Sequence, residues 1–430
     1  AAAAVLVAAC SASSDRAAPT PADQRKPALP APSDAAPPDA TAERASFDRS
    51  KLADDIEPCV GRSGKYIKCV ARVVTGNRPK SLRFAPDGKE LWVALHYDKP
   101  AVAIYDTESF ALIGAVELGD YGAVELAFSP DGSKVYFSQF ETATVYEIDR
   151  ATRQVTRTFP TGSLESKVIE ISADGSRMWV ANWKGNEVTE FDLASGKLVR
   201  RLKTPGIPRG LFAPRDGSAL YVAGFSPGRL YRFDLATGKL TVLSENGASV
   251  RHLVADEQRG RVYASDLGAA EVLVYKIGDG TFERLAETDP KPNTIDLSPD
   301  KRVLFVSNRG ANNPQSYLET GPEWGTVLAF DALTGRKLDA VVTGNQSTGL
   351  SVSPDGTLLA TTDFQDNRIN VYELAPTRRM LAGRGGNANT YRSHVKKRGD
   401  WGKKAPKDPT LWDKLAPSPA EQNGDAEPEE

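Results

Sequence analysis

The stretch "AFSPDGSKVYFSQ", from Ala127, pairs a Ser-Pro-Asp-Gly turn with an alternating apolar strand, and relatives of it occur six more times. With the turn residue as register, the repeats fall at Asp87, Asp131, Asp174, Asp216, Gln258, Asp300 and Asp355, at intervals of 44, 43, 42, 42, 42 and 55. A period near 42 implies one supersecondary unit that cannot bury its faces alone and must stack against copies of itself.

Within a unit, a short apolar strand meets the turn and an alternating β-branched and aromatic strand follows, as in "KVYFSQ". A loop then leads to a third strand ending on an acid, as in "TVYEID", and an "ATGK"-type turn opens a fourth. Period-2 alternation between Pro, Asp and Gly turns is a strand-and-hairpin pattern. Four strands in each of seven units predict an all-β fold, a seven-bladed β-propeller of four-stranded blades. The repeated turn Asp residues then read as scaffolding, with side-chain oxygens capping tight turns and Gly supplying positive φ. The acids closing the third strands are Asp106, Asp149, Asp192, Asp234 and Asp331.

The segments "RPKSLRFAPDGKELWVA…IYD" and "IPRGLFAPRDGSALYVA…RFD" resemble the YVTN or YncE-like propeller repeat over about residues 68–375. That family spans surface proteins, ligand binders and lactonase-like enzymes, so the resemblance implies the fold more than a function. Blade five departs most, lacking the Pro-Asp-Gly turn and the terminal acid. A propeller left open would expose two sheet edges. The stretch "KYIKCVARVV" reads as an orphan fourth strand, predicting that residues 68–75 complete blade seven. Cys59 and Cys69 are close enough in sequence for a disulfide at that clasp, which suits an oxidising compartment. A metal site is the alternative, but no His or further Cys lies nearby.

The first residues, "AAAAVLVAACS", resemble the end of a bacterial lipoprotein signal, with Val7, Ala8, Ala9 and Cys10 matching its lipobox. The resemblance implies removal of residues 1–9, lipidation of Cys10 and a membrane anchor of two or three acyl chains. Residues 11–45 hold seven Pro and eleven Ala with almost no large apolar side chain, so residues 10–45 are expected to form a lipidated, disordered tether. Ser11 after the Cys favours, by the same resemblance, the outer membrane, facing the periplasm or the cell surface. The propeller domain is expected over 46–385, with repeats at about 79–375, and a tail over 386–430.

Seven residues before each register position stand Lys80, Val124, Lys167, Arg209, Arg251, Asn293 and Thr348. These first-strand lead-ins share a face with the loops between second and third strands, which carry His96, Tyr97, Phe140, Trp183, Lys184, Phe225 and Arg309. Lys80, Lys167, Arg209, Arg251, His252, Trp183 and Arg309 are therefore the candidate ligand-binding residues. A basic funnel with aromatic walls suits an anionic or sugar-like ligand, because guanidinium groups grip carboxylate and phosphate in pairs of hydrogen bonds. The bland alternative is that these side chains bond loop carbonyls or are simply solvated.

Two further segments stand outside the repeat. Blade six carries about thirteen extra residues within 308–326, on the same face, where Tyr317 and Trp324 can cover the channel or meet a partner. From Tyr391 to Lys407 there are seven Lys or Arg against one Asp, with Trp401 and Trp412 nearby, and the final "EQNGDAEPEE" reads as disordered. Such a tail suits a polyanion, a glycan or lipid head groups, or Trp401 and Trp412 fasten it to the side of the propeller.

Formal net charge is −2, which gives no whole-protein case for nucleic-acid binding. Three His and three Cys do not support a copper, haem or structural zinc site, and HExxH and Walker A patterns are absent. No cofactor is expected. Were the protein a hydrolase, Glu125 and His252 at the channel mouth are the pair to nominate. The expectation is a non-enzymatic envelope lipoprotein binding an anionic small molecule, an envelope polymer or a protein; a lactonase-like hydrolase and a structural component of an envelope complex are the alternatives.

Overall fold

A computed structural model describes residues 47–59, 62–384 and 391–397. The described residues form seven four-stranded antiparallel sheets. Blades one to six span 79–116, 125–160, 166–203, 207–244, 250–287 and 292–342. Blade seven takes three strands from 347–374 and its fourth, Ile67–Val74, from the N-terminal side. That strand runs from Ile67 opposite Leu374 to Val74 opposite Arg368, one residue earlier than the 68–75 expected. It is also held from blade six, where the buried Asp339 carboxylate accepts from the N–H groups of Tyr66 and Ile67 at 2.5 and 3.0 Å.

Alternation along each second strand explains why blades stack. In blade one, Leu91, Val93 and Leu95 pack toward blade seven, while Trp92 and Ala94 pack with Leu126, Val135 and Phe137 of blade two. Between blades three and four, Trp179 and Tyr231 fill the same role. Each seam is a separate apolar layer, and the layers close into a ring because both faces of each sheet are apolar.

The turn Asp residues do cap their turns. Asp131 accepts from the Ser129 hydroxyl at 2.5 Å and the Ser133 N–H at 3.1 Å, bonds that hold its carboxyl below the usual range. Gly132 takes φ +70°, and in blade six Lys301 takes the same left-handed conformation at φ +58° without glycine's freedom. In blade five, Asp256 replaces the missing acid, accepting from the Arg259 N–H at 3.2 Å and its guanidinium at 2.6 Å. The third-strand acids cap the next turn, as Asp192 does for Ser195 N–H at 2.8 Å.

Cys59 and Cys69 are disulfide-bonded, with Cα atoms 5.7 Å apart. The bond ties the N-terminal segment to the clasp strand. Beside it Glu57 pairs with Arg368 at 2.7 Å and with Arg72 at 3.1 Å, joining that segment to both strands of the closure. No described helix is long and apolar enough to cross a membrane.

Candidate functional site

The innermost strand of each blade runs along the central channel, and its side chains form layers. The lead-in residues make the mouth, and the residues nine after each register position make a second ring around it. That outer ring is His96, Phe140, Trp183, Phe225, Leu267, Arg309 and Phe364. The 42-residue period therefore places a cation of one blade against an aromatic ring of its own or a neighbouring blade.

The pairing is regular. Lys167 Nζ lies 4.0 Å from the Trp183 ring and 4.7 Å from Phe140. Arg209 sits over Trp183 at 5.5 Å and Arg251 over Phe225 at 6.0 Å. Lys80 and Arg78 stack on Phe364 at 4.7 and 5.4 Å. Ring quadrupoles attract such cations, by about 0.5–2 kcal/mol each. Trp183 and Phe225 also touch each other at 4.6 Å, so the wall is continuous across blades three and four.

Arg209 differs from the rest. Its Nη2 pairs with Glu125 Oε1 at 3.2 Å, a contact that passes blade three and joins blades two and four. Its side chain is 3% exposed, yet Nε and Nη1 have no hydrogen-bond partner among the described residues. Beside it Arg251 Nε donates to Asn293 Oδ1 at 2.9 Å, while the Asn293 amide nitrogen is left without an acceptor. Buried donors that lack acceptors are costly, and the great majority in folded proteins are satisfied.

Glu125 and His252 are close enough for each to act on the charge of the other. Burial works to raise the Glu125 carboxyl, but Arg209, with His252, Ser81 and Arg251, outweighs it and holds Glu125 below its usual value. Burial pushes His252 down to about 4 against the pull of Glu125, so the imidazole is neutral at pH 7. A carboxylate committed to a guanidinium and an imidazole of low basicity make a poor acid–base pair. Among the described residues no cluster of three or more His, Cys, Asp or Glu is placed to hold a metal.

A deeper layer, four residues before the register position, holds Arg83, Glu170 and Asp296, which sequence reasoning missed. Glu170 accepts from the Ala213 N–H of blade four at 3.0 Å, and Asp296 from the Val352 N–H of blade seven at 2.9 Å. Burial pushes Glu170 up to about 7 and raises Asp296, with the backbone donors and Arg83 pulling the other way. These acids stitch adjacent inner strands together. Phe364, also missed, occupies the register of Phe140 and Trp183; the repeat itself is the signal that finds it.

Arg309 belongs to a different environment. It stacks on Tyr317 at 5.6 Å and donates to Gln346 Oε1 at 3.0 Å beneath the blade-six insert. The carbonyl of Tyr317 accepts from the side chains of Gln346 and Gln365, fastening the insert over blade seven. On its other side the insert meets the C-terminal segment: Glu323 bridges to Lys396, and Lys397 stacks on Trp324 at 4.6 Å. Tyr391 is buried and donates to Asp289 at 3.0 Å, so the described part of this segment packs on the propeller. Trp401, Trp412 and Cys10 lie outside the described residues.

Two cavities of about 500 and 450 Å³ lie away from the mouth. One is on the outer strands of blades four and five; the other is on the turn face, between Phe47 and the turns at Asp87 and Asp355.

Comparison with known proteins agrees with this architecture. A family model described as lactonase, seven-bladed β-propeller, matches residues 229–388. Antigen Lp49 of Leptospira interrogans is 30% identical over 323 residues, covering 72% of this chain and 70% of the relative. Hydrazine synthase of Kuenenia stuttgartiensis superposes with a TM-score of 0.59 at 19% identity, over 70% of this chain and 98% of that chain, a likeness of fold alone. Identity at that level over most of both chains, with seven four-stranded blades observed, places this protein in the seven-bladed β-propeller family that includes Leptospira Antigen Lp49.

Proposed function

We infer that this protein is a non-enzymatic cell-envelope binding protein, whose propeller mouth takes an anionic ligand bearing carboxylate or phosphate. One observation carries the reading: Arg209 is buried at the channel mouth with two donor nitrogens that no described residue satisfies. Lys80, Lys167 and Arg251 surround it, and an enclosed, low-dielectric mouth strengthens their field. The aromatic rings between these cations give a sugar-like ligand apolar faces to lie against. The resemblance of the repeats to the YVTN type, a group that includes ligand binders, supports the same reading.

The envelope location rests on the lipobox-like residues ending at Cys10. The disulfide fits an oxidising compartment, and the relative's description as an antigen is compatible with an envelope position. Phe47 sits on the turn face, at the opposite end of the inner strands from the cationic mouth.

The test is calorimetry against a panel of sugar acids, phosphorylated sugars, lactones and cell-wall fragments at low and high salt. Binding that weakens with salt and is lost in Arg209→Gln supports the reading. Binding that is salt-independent, or turnover of a lactone, overturns it.

A further inference from the structure

Glu125 pairs with a mouth cation of the lead-in ring, and it reaches that cation from two blades away. Arg209 and Glu125 thus form a strut across the channel where a ligand's charged group would sit. The neighbouring donors point the same way: Arg209 Nε and Nη1 and the Asn293 amide nitrogen are buried without acceptors, and Asn293 is 4% exposed. Glu125 satisfies Arg209 Nη2 and leaves these three donors unmet.

Ser81 of blade one and His252 of blade five also lie close enough to act on the Glu125 carboxylate. Gly210, next to Arg209, admits the close approach of blade five: a Cβ there would lie 2.8 Å from the Arg251 carbonyl. The inner strands of blades four and five are therefore held together, which sets Arg209 beside Arg251.

We propose that Glu125 is an internal competitor for the ligand: one carboxylate or phosphate group of the bound anion replaces it on Arg209 and is completed by Arg251 and Asn293. This rests on the reading of the mouth as an anion site and assigns the subsite within it. Lys80 of blade one and Lys167, which shares the Trp183 ring with Arg209, contact the remainder of the ligand. The resting ion pair is thus an occupied state that the ligand must displace.

Inorganic phosphate and acetate are the probes, titrated into the protein at low ionic strength. Affinity is read by calorimetry and position by the Arg209 Nε–H cross-peak, assigned from Arg209→Lys. Glu125→Gln is expected to bind about tenfold more tightly if the strut is closed in nine molecules of ten. Arg209→Gln is expected to lose binding. Glu125→Asp shortens the reach of the carboxylate toward Arg209 and is expected to tighten binding to a lesser degree; it decides the matter should Glu125→Gln fail to fold by circular dichroism. A preference for phosphate marks the ligand group as a phosphate, and a preference for acetate marks it as a carboxylate.

Unchanged or weaker affinity in Glu125→Gln overturns the proposal. So does a cross-peak that stays still while larger anions bind through Lys80 and Lys167, an outcome that leaves the mouth as an anion site. Failure of every anion in the panel to bind any of these proteins removes both.

Discussion

The main-chain N–H of Trp324 donates to the carbonyl of Val395 at 2.9 Å, making one structure of the blade-six insert and the C-terminal segment. The Lys397 N–H returns a bond to Pro322 O at 3.0 Å, and its ammonium reaches Gly321 O at 2.7 Å and the Asn345 side chain. The segment 391–397 thus straps down a loop that also covers Arg309. A long insert without regular structure keeps one shape here because its ends and its middle are fastened to three different parts of the chain.

Removing the anchor of that strap is expected to loosen the insert. Tyr391→Ala empties a buried site against blade six and should cost about 3 kcal/mol in urea unfolding, in the range for large-to-small core changes. Limited proteolysis should then cut within 309–325. Tyr391→Phe keeps the ring and loses only its bonds to Asp289, for about 1–2 kcal/mol.

The disulfide bears on the ring closure. Replacing Cys59 and Cys69 by Ser should lower unfolding free energy by about 2–3 kcal/mol, since the cross-link closes a short loop. Hydrogen exchange should rise first in Ile67–Val74 and its partner strand Arg368–Leu374, because no hairpin connects the closing strand to blade seven.

Glu170 predicts a dependence on pH with a definite sign. Its folded value near 7 lies above its ordinary 4.5. As pH rises through 4.5 the unfolded chain releases a proton that the folded one keeps, so stability falls until about pH 7 and then levels. Glu170→Gln retains an acceptor for Ala213 N–H and removes the titration. It should match the wild type at pH 4 and exceed it by on the order of 3 kcal/mol at pH 8.

His252 acts in the opposite window. Its folded value near 4 lies below the ordinary 6.5, so acidification from 6.5 toward 4 protonates the unfolded chain first and destabilises the fold. An imidazole proton resonance of His252 that titrates near 4 is the expected result; a midpoint near 6.5 places the ring in solvent.

Trp183 supports two cations, Lys167 and Arg209, and touches Phe225. Trp183→Ala should cost about 3–5 kcal/mol by opening a cavity. Trp183→Phe, which keeps a ring face, should cost clearly less and should preserve the salt-dependence of ligand binding.

The architecture was legible because it is written seven times. A capped turn, an alternating strand and a period near 42 are local and repetitive properties, and together they determined the blade count, the strand order, the closing strand and the location of the insert. The same period placed Lys167, Arg209 and Trp183 around one mouth, and extended nine residues past each register position it also points to Phe364. Tertiary structure alone decided which of these side chains touch. Glu125 meets Arg209 by passing over blade three, a distance that depends on channel width and rotamer rather than on register. Glu170 and Asp296 looked like ordinary strand residues because their role is to accept an N–H from the next blade, which exists only once the ring is closed. The insert and the segment 391–397 follow no repeat, so their mutual contact came from packing against blade six and not from any pattern that sequence carries.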